Sequence, residues 1–320
     1  THLKTNQYIK ENKMNYLNYV KNNCIKCGKC TNNCPFLSKY DINLKDFINR
    51  EDLAYSCFEC NKCEYVCPKD LNGKYISLLL RKKNPKYKFV KLTKDRYPFR
   101  NLKKSKNSSQ DILYLGCNFP AFYPETSKAL IKLFNDNNFT FSIDCCRKPV
   151  ASSGYEEEKS PSLEEEIKRL KVKRIVTACP NCYHYLSGKY KVEVISIYKW
   201  LEEYNYITDI DQECNVFFPC SDRYNREIFE VIKRHARNYN DKFTTTNCCG
   251  AGGLASKVEK DTAEKMTASI QNEEIYTYCA TCSMRFSKYN KVHHFASAFI
   301  GIDEDVDTNF FKNAIKAKFY

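Results

Sequence analysis

Residues 246–253 read TNCCGAGG: two adjacent cysteines, Cys248 and Cys249, followed by a glycine-rich turn. A disulfide wants its Cα atoms about 4.4–6.8 Å apart, while consecutive Cα atoms across a trans peptide lie about 3.8 Å apart, so neighbours are poor partners for each other. The same pair occurs at Cys145-Cys146 in IDCCRKP. Working outward from both pairs, the surrounding cysteines fall into register. Cys117, Cys145, Cys146, Cys179 and Cys182 form one set, and Cys220, Cys248, Cys249, Cys279 and Cys282 form a second. Positions 117, 145 and 146 recur 103 residues later, and 179 and 182 recur 100 residues later, which marks a duplication.

Each set has the same local context. DILYLGC and NVFFPC read as short strands ending at a cysteine, FTFSIDCC and KFTTTNCC as strands ending at the pair, and VKRIVTACPNC and EEIYTYCATC as strands ending at C-x-x-C. Helical patterns lie between them, in YPETSKALIKLFNDN, YNREIFEVIKRHARN and LASKVEKDTAEKMTASIQ. Alternating strands and helices imply parallel sheets, whose ligands gather at the carboxyl ends of the strands. Each half is therefore expected to converge five thiolates on one site.

Upstream, CIKCGKCTNNCP and CFECNKCEYVCP repeat the pattern C-x2-C-x2-C-x3-C-P. Zinc takes four ligands, usually as two separated pairs, which fits this spacing poorly. The double run resembles bacterial ferredoxins with two [4Fe–4S] cubanes. In that family the fourth cysteine of each run crosses to the other cluster. The resemblance therefore implies one cubane on Cys24, Cys27, Cys30 and Cys67, and another on Cys57, Cys60, Cys63 and Cys34. The apolar spacing of YDINLKDFINREDLAYS between the runs predicts a helix, longer than the connector of a small ferredoxin.

The chain has 320 residues and 19 cysteines, an odd count that excludes complete internal disulfide pairing. Only Cys214 falls outside the four ligand sets, as a buried bystander. The formal charge of +14 accompanies abundant Lys, Asn and Tyr, and reads either as compositional bias or as attraction to an acidic partner or anionic substrate. No nucleic-acid recognition motif occurs, and GAGG does not open a nucleotide-binding G-x-G-x-x-G turn, so flavin or nicotinamide belongs on a partner. No apolar run reaches the roughly 18 residues of a membrane span. The expectation is a soluble cytoplasmic protein whose membrane attachment, if any, comes through a partner.

The two five-cysteine sets resemble the CCG domain of heterodisulfide reductase, named for the core seen here as Cys248-Cys249-Gly250. Residues 20 to 85 resemble its ferredoxin-type subunit, residues 110 to 300 its CCG subunit, and the fused order its D-type subunit. The expected class is α+β: a helical ferredoxin-type domain at 1–85, a basic linker at 86–110 that wraps the surface, and a duplicated α/β CCG domain with parallel strands, repeat 1 at 111–213 and repeat 2 at 214–320. The resemblance implies two non-cubane [4Fe–4S] clusters, one on each set, in addition to the cubanes. It implies a small disulfide, such as that of coenzymes M and B, held between them and reductively cleaved. It also implies a hetero-oligomer with a flavoprotein, ferredoxin or cytochrome subunit as electron donor. One departure is Arg147, where the family often has Gly.

Several residues beside the ligands are candidates for further roles. His184 follows Cys182 and reads as a proton donor or as packing. Arg147, Lys148, Arg223 and Arg285 read as substrate-anion contacts or as compensation for cluster charge. Gly250, Gly252 and Gly253 read as positions where backbone approaches the cluster sulfurs. His293-His294 reads as ordinary surface. Two other functions remain open: an electron relay in a flavin-dependent dehydrogenase (for glycolate, lactate or glycerol-3-phosphate) or in thiol:fumarate reductase, and a redox accessory factor for another metalloenzyme.

Overall fold

The computed structural model describes residues 15–102, 108–156 and 159–320. The chain forms two compact units. The first comprises Thr1–Lys91, Pro149–Glu156 and Thr246–Thr267; the second comprises Leu92–Lys148, Glu157–Thr245 and Ala268–Tyr320.

Unit 1 is helical among its described residues. Tyr16, Val20, Phe36, Leu37, Phe47, Ile76 and Leu80 close its core. The segment between the two cysteine runs was expected to be one helix. It is instead a string of short pieces, Pro35–Lys39, Leu44–Phe47 and the 3-10 turn Glu51–Ser56. The cause is local: Asn43 and Asp46 form a reciprocal capping box, which starts a new helix at Leu44. Buried polar groups tie the two later segments into this unit. Arg81, fully buried, donates to Glu59 Oε1 at 2.7 Å and to the carbonyls of Ala54, Cys57 and Ser152. Tyr55 donates to Ser153 O at 2.8 Å. On the other segment, Glu259 accepts from Lys39 at 2.6 Å and from Tyr40 at 2.8 Å.

Unit 2 holds the parallel sheets. Strands β1 (Asp111–Tyr114), β2 (Thr140–Ser142), β3 (Arg174–Thr177) and β4 (Glu193–Ser196) form one sheet in the order β2-β1-β3-β4, all parallel. Strands β5 (Cys214–Asn215) and β6 (Tyr239–Asn240) pair in parallel, as do β7 (Glu274–Thr277) and β8 (Lys291–His294). A parallel bridge from Val216 to Tyr276 joins the two ladders, so the second half runs β6-β5-β7-β8 and repeats the order of the first. In the first half, the buried carboxylate of Asp111 accepts from Arg174 at 2.8 and 2.6 Å and from Trp200 at 2.9 Å. Trp200 itself stacks on Phe134 at 3.9 Å.

One expectation about an element is corrected. KFTTTNCC is not a strand: the second-half strand ends at Asn240, residues 242–245 turn, and Thr246 begins a segment of unit 1. There Asn247 donates to Asn33 O at 2.9 Å, and Cys248 packs with Phe58, Ala255 and Ala263. The stretch read as a surface linker contains the helix Lys88–Asp95 and the buried Tyr97.

Candidate iron–sulfur centres

No disulfide joins any of the described cysteines. In unit 1, Cys24, Cys27, Cys30 and Cys67 line one cavity together with Gly28, Asn43, Leu44 and Leu71. Cys34 has the Cys60 and Cys57 sulfurs as neighbours, and Cys63 has those of Cys34, Cys57 and Cys60. The fourth cysteine of each run thus lies with the triplet of the other. Burial pushes Cys57 up to about 11, and raises Cys34 and Cys63 as well. A dry group of thiols resists ionising unless a cation shares the site, which is what cluster iron provides.

The first five-cysteine set lies wholly in unit 2. Cys117 follows β1, Cys145 and Cys146 follow β2, and Cys179 follows β3, with Cys182 on the helix Pro180–Leu186. Its thiols form a continuous chain of sulfur contacts: Cys117 to Cys145, Cys145 to Cys146, Cys146 to Cys182, and Cys182 to Cys179. Protons are unevenly held along it. Hydrogen bonds from Cys145 and Cys182 pull Cys146 down to about 5, while the bond to Cys146 pushes Cys182 well up. Among the described residues no three Cys, His, Asp or Glu side chains are grouped to hold a single ion. The five linked sulfurs form a wider set, suited to a multi-iron cluster rather than to one tetrahedral zinc.

The cysteines of the second set are divided. Cys220, Cys279 and Cys282 belong to unit 2, and Cys248 and Cys249 to unit 1. The two cysteine-pair loops nevertheless share one geometry. Arg147 N–H donates to Cys145 Sγ at 3.4 Å, and Gly250 N–H donates to Cys248 Sγ at 3.3 Å. Both donors have left-handed backbones, φ 69° at Arg147 and 81° at Gly250. Glycine tolerates that region freely, and arginine adopts it at a cost of about 1–2 kcal/mol.

The side chains of the candidate cations are placed as follows. Arg147 is buried and pairs with Asp95 at 2.6 Å. Arg223 donates twice to Phe218 O and lies over the Phe217 ring. Lys148 and Arg285 are half-buried, at the start of helix Lys148–Ser152 and within helix Ala280–Phe286. Two of the glycines also lie against neighbouring backbone: a Cβ at Gly252 would come within 2.1 Å of Phe58 O, and one at Gly253 within 2.4 Å of Cys57 O. His294 is also corrected: it is buried, its ring accepts from Ala296 N–H at 3.2 Å, and burial lowers its pKa to about 3. Cys214 is fully buried and donates to Gln212 O at 3.6 Å.

Sequence reasoning missed several groups near the ligands. His184 Nε2 lies 3.0 Å from Asp222 Oδ1, and Asp222 also accepts from Tyr278 at 2.8 Å and from the N–H groups of Ile228 and Phe229. Asp222 follows Cys220 by two residues, but its counterpart in the repeat is Phe119, so the duplication carried no signal for it. Lys94 has the Cys117, Cys145 and Cys146 sulfurs as neighbours, and their charge outweighs the effect of burial and raises its pKa. Tyr97 donates to Cys117 O at 3.1 Å. Asn181 and Asn118 reach across unit 2 to the second C-x-x-C turn: Asn181 Nδ2 donates to Cys279 Sγ at 3.9 Å, and Asn118 Nδ2 to Thr281 Oγ1 at 2.9 Å.

Comparison with known proteins follows the cysteine sets. Residues 9–71 match the 4Fe-4S dicluster domain, and residues 112–187 and 210–287 each match the cysteine-rich CCG domain. This chain is a dicluster iron–sulfur protein with paired CCG domains. Two relatives described as uncharacterized iron–sulfur proteins are each 23% identical to it. The one from Methanococcus maripaludis aligns with 84% of this chain and 69% of its own length, and the one from Methanocaldococcus jannaschii with 89% and 72%. A subunit of the fumarate reductase (CoM/CoB) of Methanothermobacter marburgensis is 21% identical over 82% of this chain and 66% of its own length. No solved structure gives a significant match. Among the described residues no helix of the dicluster–CCG chain is long and apolar enough to cross a membrane.

Proposed function

We propose that the paired CCG halves interconvert a small disulfide and its two thiols, with electrons exchanged through the N-terminal dicluster domain. The observation that carries this reading is the closeness of the two C-x-x-C turns within unit 2, where Asn181 meets Cys279 and Asn118 meets Thr281. A disulfide has two sulfurs and needs two electrons and two protons to become two thiols, so two adjacent redox sites match its stoichiometry.

Cys24, Cys27, Cys30 and Cys67 would hold one cubane, and Cys57, Cys60, Cys63 and Cys34 the other. The sets beginning at Cys117 and Cys220 would each hold a non-cubane [4Fe–4S] cluster. The clusters supply one-electron transfer and a soft metal surface for sulfur. The protein's own residues do the rest. Lys94 sets a positive charge against the first set, which favours anionic sulfur there. His184, held by the buried Asp222, carries its ring on the helix that bears Cys182. Heterodisulfide of coenzymes M and B is the substrate that the family resemblance suggests.

A second reading is supported by the similarity to a fumarate reductase (CoM/CoB) subunit. There the same thiol–disulfide sites would run within a complex whose partner subunit carries the other half-reaction. The test uses anoxically purified protein with its iron counted, reduced viologen as donor, and the heterodisulfide of coenzymes M and B beside other disulfides. About 16 irons per chain and selective dye oxidation support reduction by the chain itself. Full iron without turnover moves the assignment to a partner-dependent complex.

A further inference from the structure

The duplication predicts equivalent residues at equivalent positions, and one break in it lies between ligands. Asn181 sits inside the first C-x-x-C, and its counterpart 100 residues on is Thr281. Asparagine carries a side-chain N–H and threonine does not. The Asn181 amide does not turn back to its own half: it donates to Cys279 Sγ, a cysteine of the second set. Thr281 is the acceptor of the neighbouring cross-link from Asn118. Both amides therefore come from the first half and both end on the second C-x-x-C turn, but only Asn181 gives an N–H to sulfur there; the Asn118 oxygen accepts from Cys117 Sγ of its own half at 3.5 Å.

An N–H aimed at a ligand sulfur stabilises added negative charge, which makes the attached cluster easier to reduce. We infer that Asn181 is a positioning residue that acts on the second CCG centre through Cys279 and makes the two centres unequal in reduction potential. This rests on the second set holding a cluster, as proposed above. The first set has a different neighbour in Lys94, so the Asn181 contact singles out one centre. The inequality orders the two sites: the centre bearing Cys279 is the one whose affinity for an electron depends on a residue of the opposite half.

The test is a redox titration of anoxic, iron-loaded protein followed by electron paramagnetic resonance. Asn181→Ala is expected to shift one centre to lower potential and leave the other three unmoved, with iron content equal to that of the unaltered chain. Asn181→Asp, which replaces the N–H by a carboxylate oxygen, is expected to shift the same centre further in the same direction. Asn118→Ala loosens the adjacent cross-link and removes the oxygen beside Cys117 Sγ, so any shift it causes is expected at the first CCG centre, with the centre bearing Cys279 left in place. The inference is overturned if Asn181→Ala moves no centre, if it moves all of them together, or if Asn118→Ala reproduces the shift. Wild-type protein that binds about 12 irons, with the second set empty, overturns it as well. Absence of disulfide turnover in a fully loaded chain defeats the proposed substrate and leaves this inference standing.

Discussion

The loops at Cys145-Cys146 and at Cys248-Cys249 have the same backbone and different surroundings. In each, the residue after the pair turns left-handed and gives its N–H to the first sulfur. In the second loop that residue is Gly250, where a Cβ would come within 2.4 Å of Ala263 O. In the first it is Arg147, whose side chain is taken up by Asp95. The shared backbone follows from what two adjacent thiols require. The residue that achieves it depends on whether the neighbouring chain leaves room, and on whether an ion pair offsets the strain.

The strongest way to break the comparison is to remove a sulfur from one loop only. Cys146 lies mid-way along the sulfur chain of the first set, so Cys146→Ser is expected to lower iron content by about four per chain and to spare the cubane signals. Iron analysis checks this; unchanged iron would mean that the first set holds no cluster. Next, Gly250→Ala puts a methyl group against Ala263 O at a positive φ, and is expected to cost about 2–3 kcal/mol of apparent stability in thermal unfolding of the anoxic protein.

Arg147 sharpens the comparison. Arg147→Ala loses the Asp95 pair and keeps the left-handed strain, whereas Arg147→Gly loses the pair and relieves the strain. The glycine variant should therefore be the more stable of the two by about 1 kcal/mol. Equal unfolding midpoints for the two would show that the backbone there carries no such cost.

A pH-dependent effect concerns His294, whose folded pKa lies near 3 because of burial. The unfolded ring binds a proton near its ordinary value of 6.5, and the fold keeps it neutral. Stability from this group is therefore fully present above about pH 6.5 and is lost as pH falls toward 3, at no more than about 1.4 kcal/mol per unit. His294→Asn can preserve an acceptor for Ala296 N–H while removing that term. Its stability should fall less than that of the unaltered chain between pH 6.5 and 5, in parallel unfolding measurements.

Much of the molecule was legible in the cysteines. Ligand chemistry is tied to residue type and spacing, so the double C-x2-C-x2-C-x3-C-P run, the 103- and 100-residue offsets and the parallel sheets after each strand could be read without coordinates. The β2-β1-β3-β4 order and its echo in the second half follow from that duplication. Local pattern failed where a distant partner decided the outcome. KFTTTNCC has the composition of a strand, yet its pair belongs to the helical unit through Asn33, Phe58 and Ala263. The other miss was local: the segment after Cys34 has helical spacing, yet the Asn43–Asp46 cap within it divides it.

Spacing alone thus determined the cysteine sets and the duplication, because a thiol ligand is recognisable wherever it stands in the chain; the fold class needed the strand and helix patterns and the family resemblance as well. Tertiary structure alone decided which polar groups serve those sulfurs. Lys94, Asp222 and Asn181 are ordinary in their local sequence and acquire meaning only from what folding brings beside them. Their roles arise from hydrogen bonds and charge, which act over a few ångströms in space and leave no periodic mark along the chain.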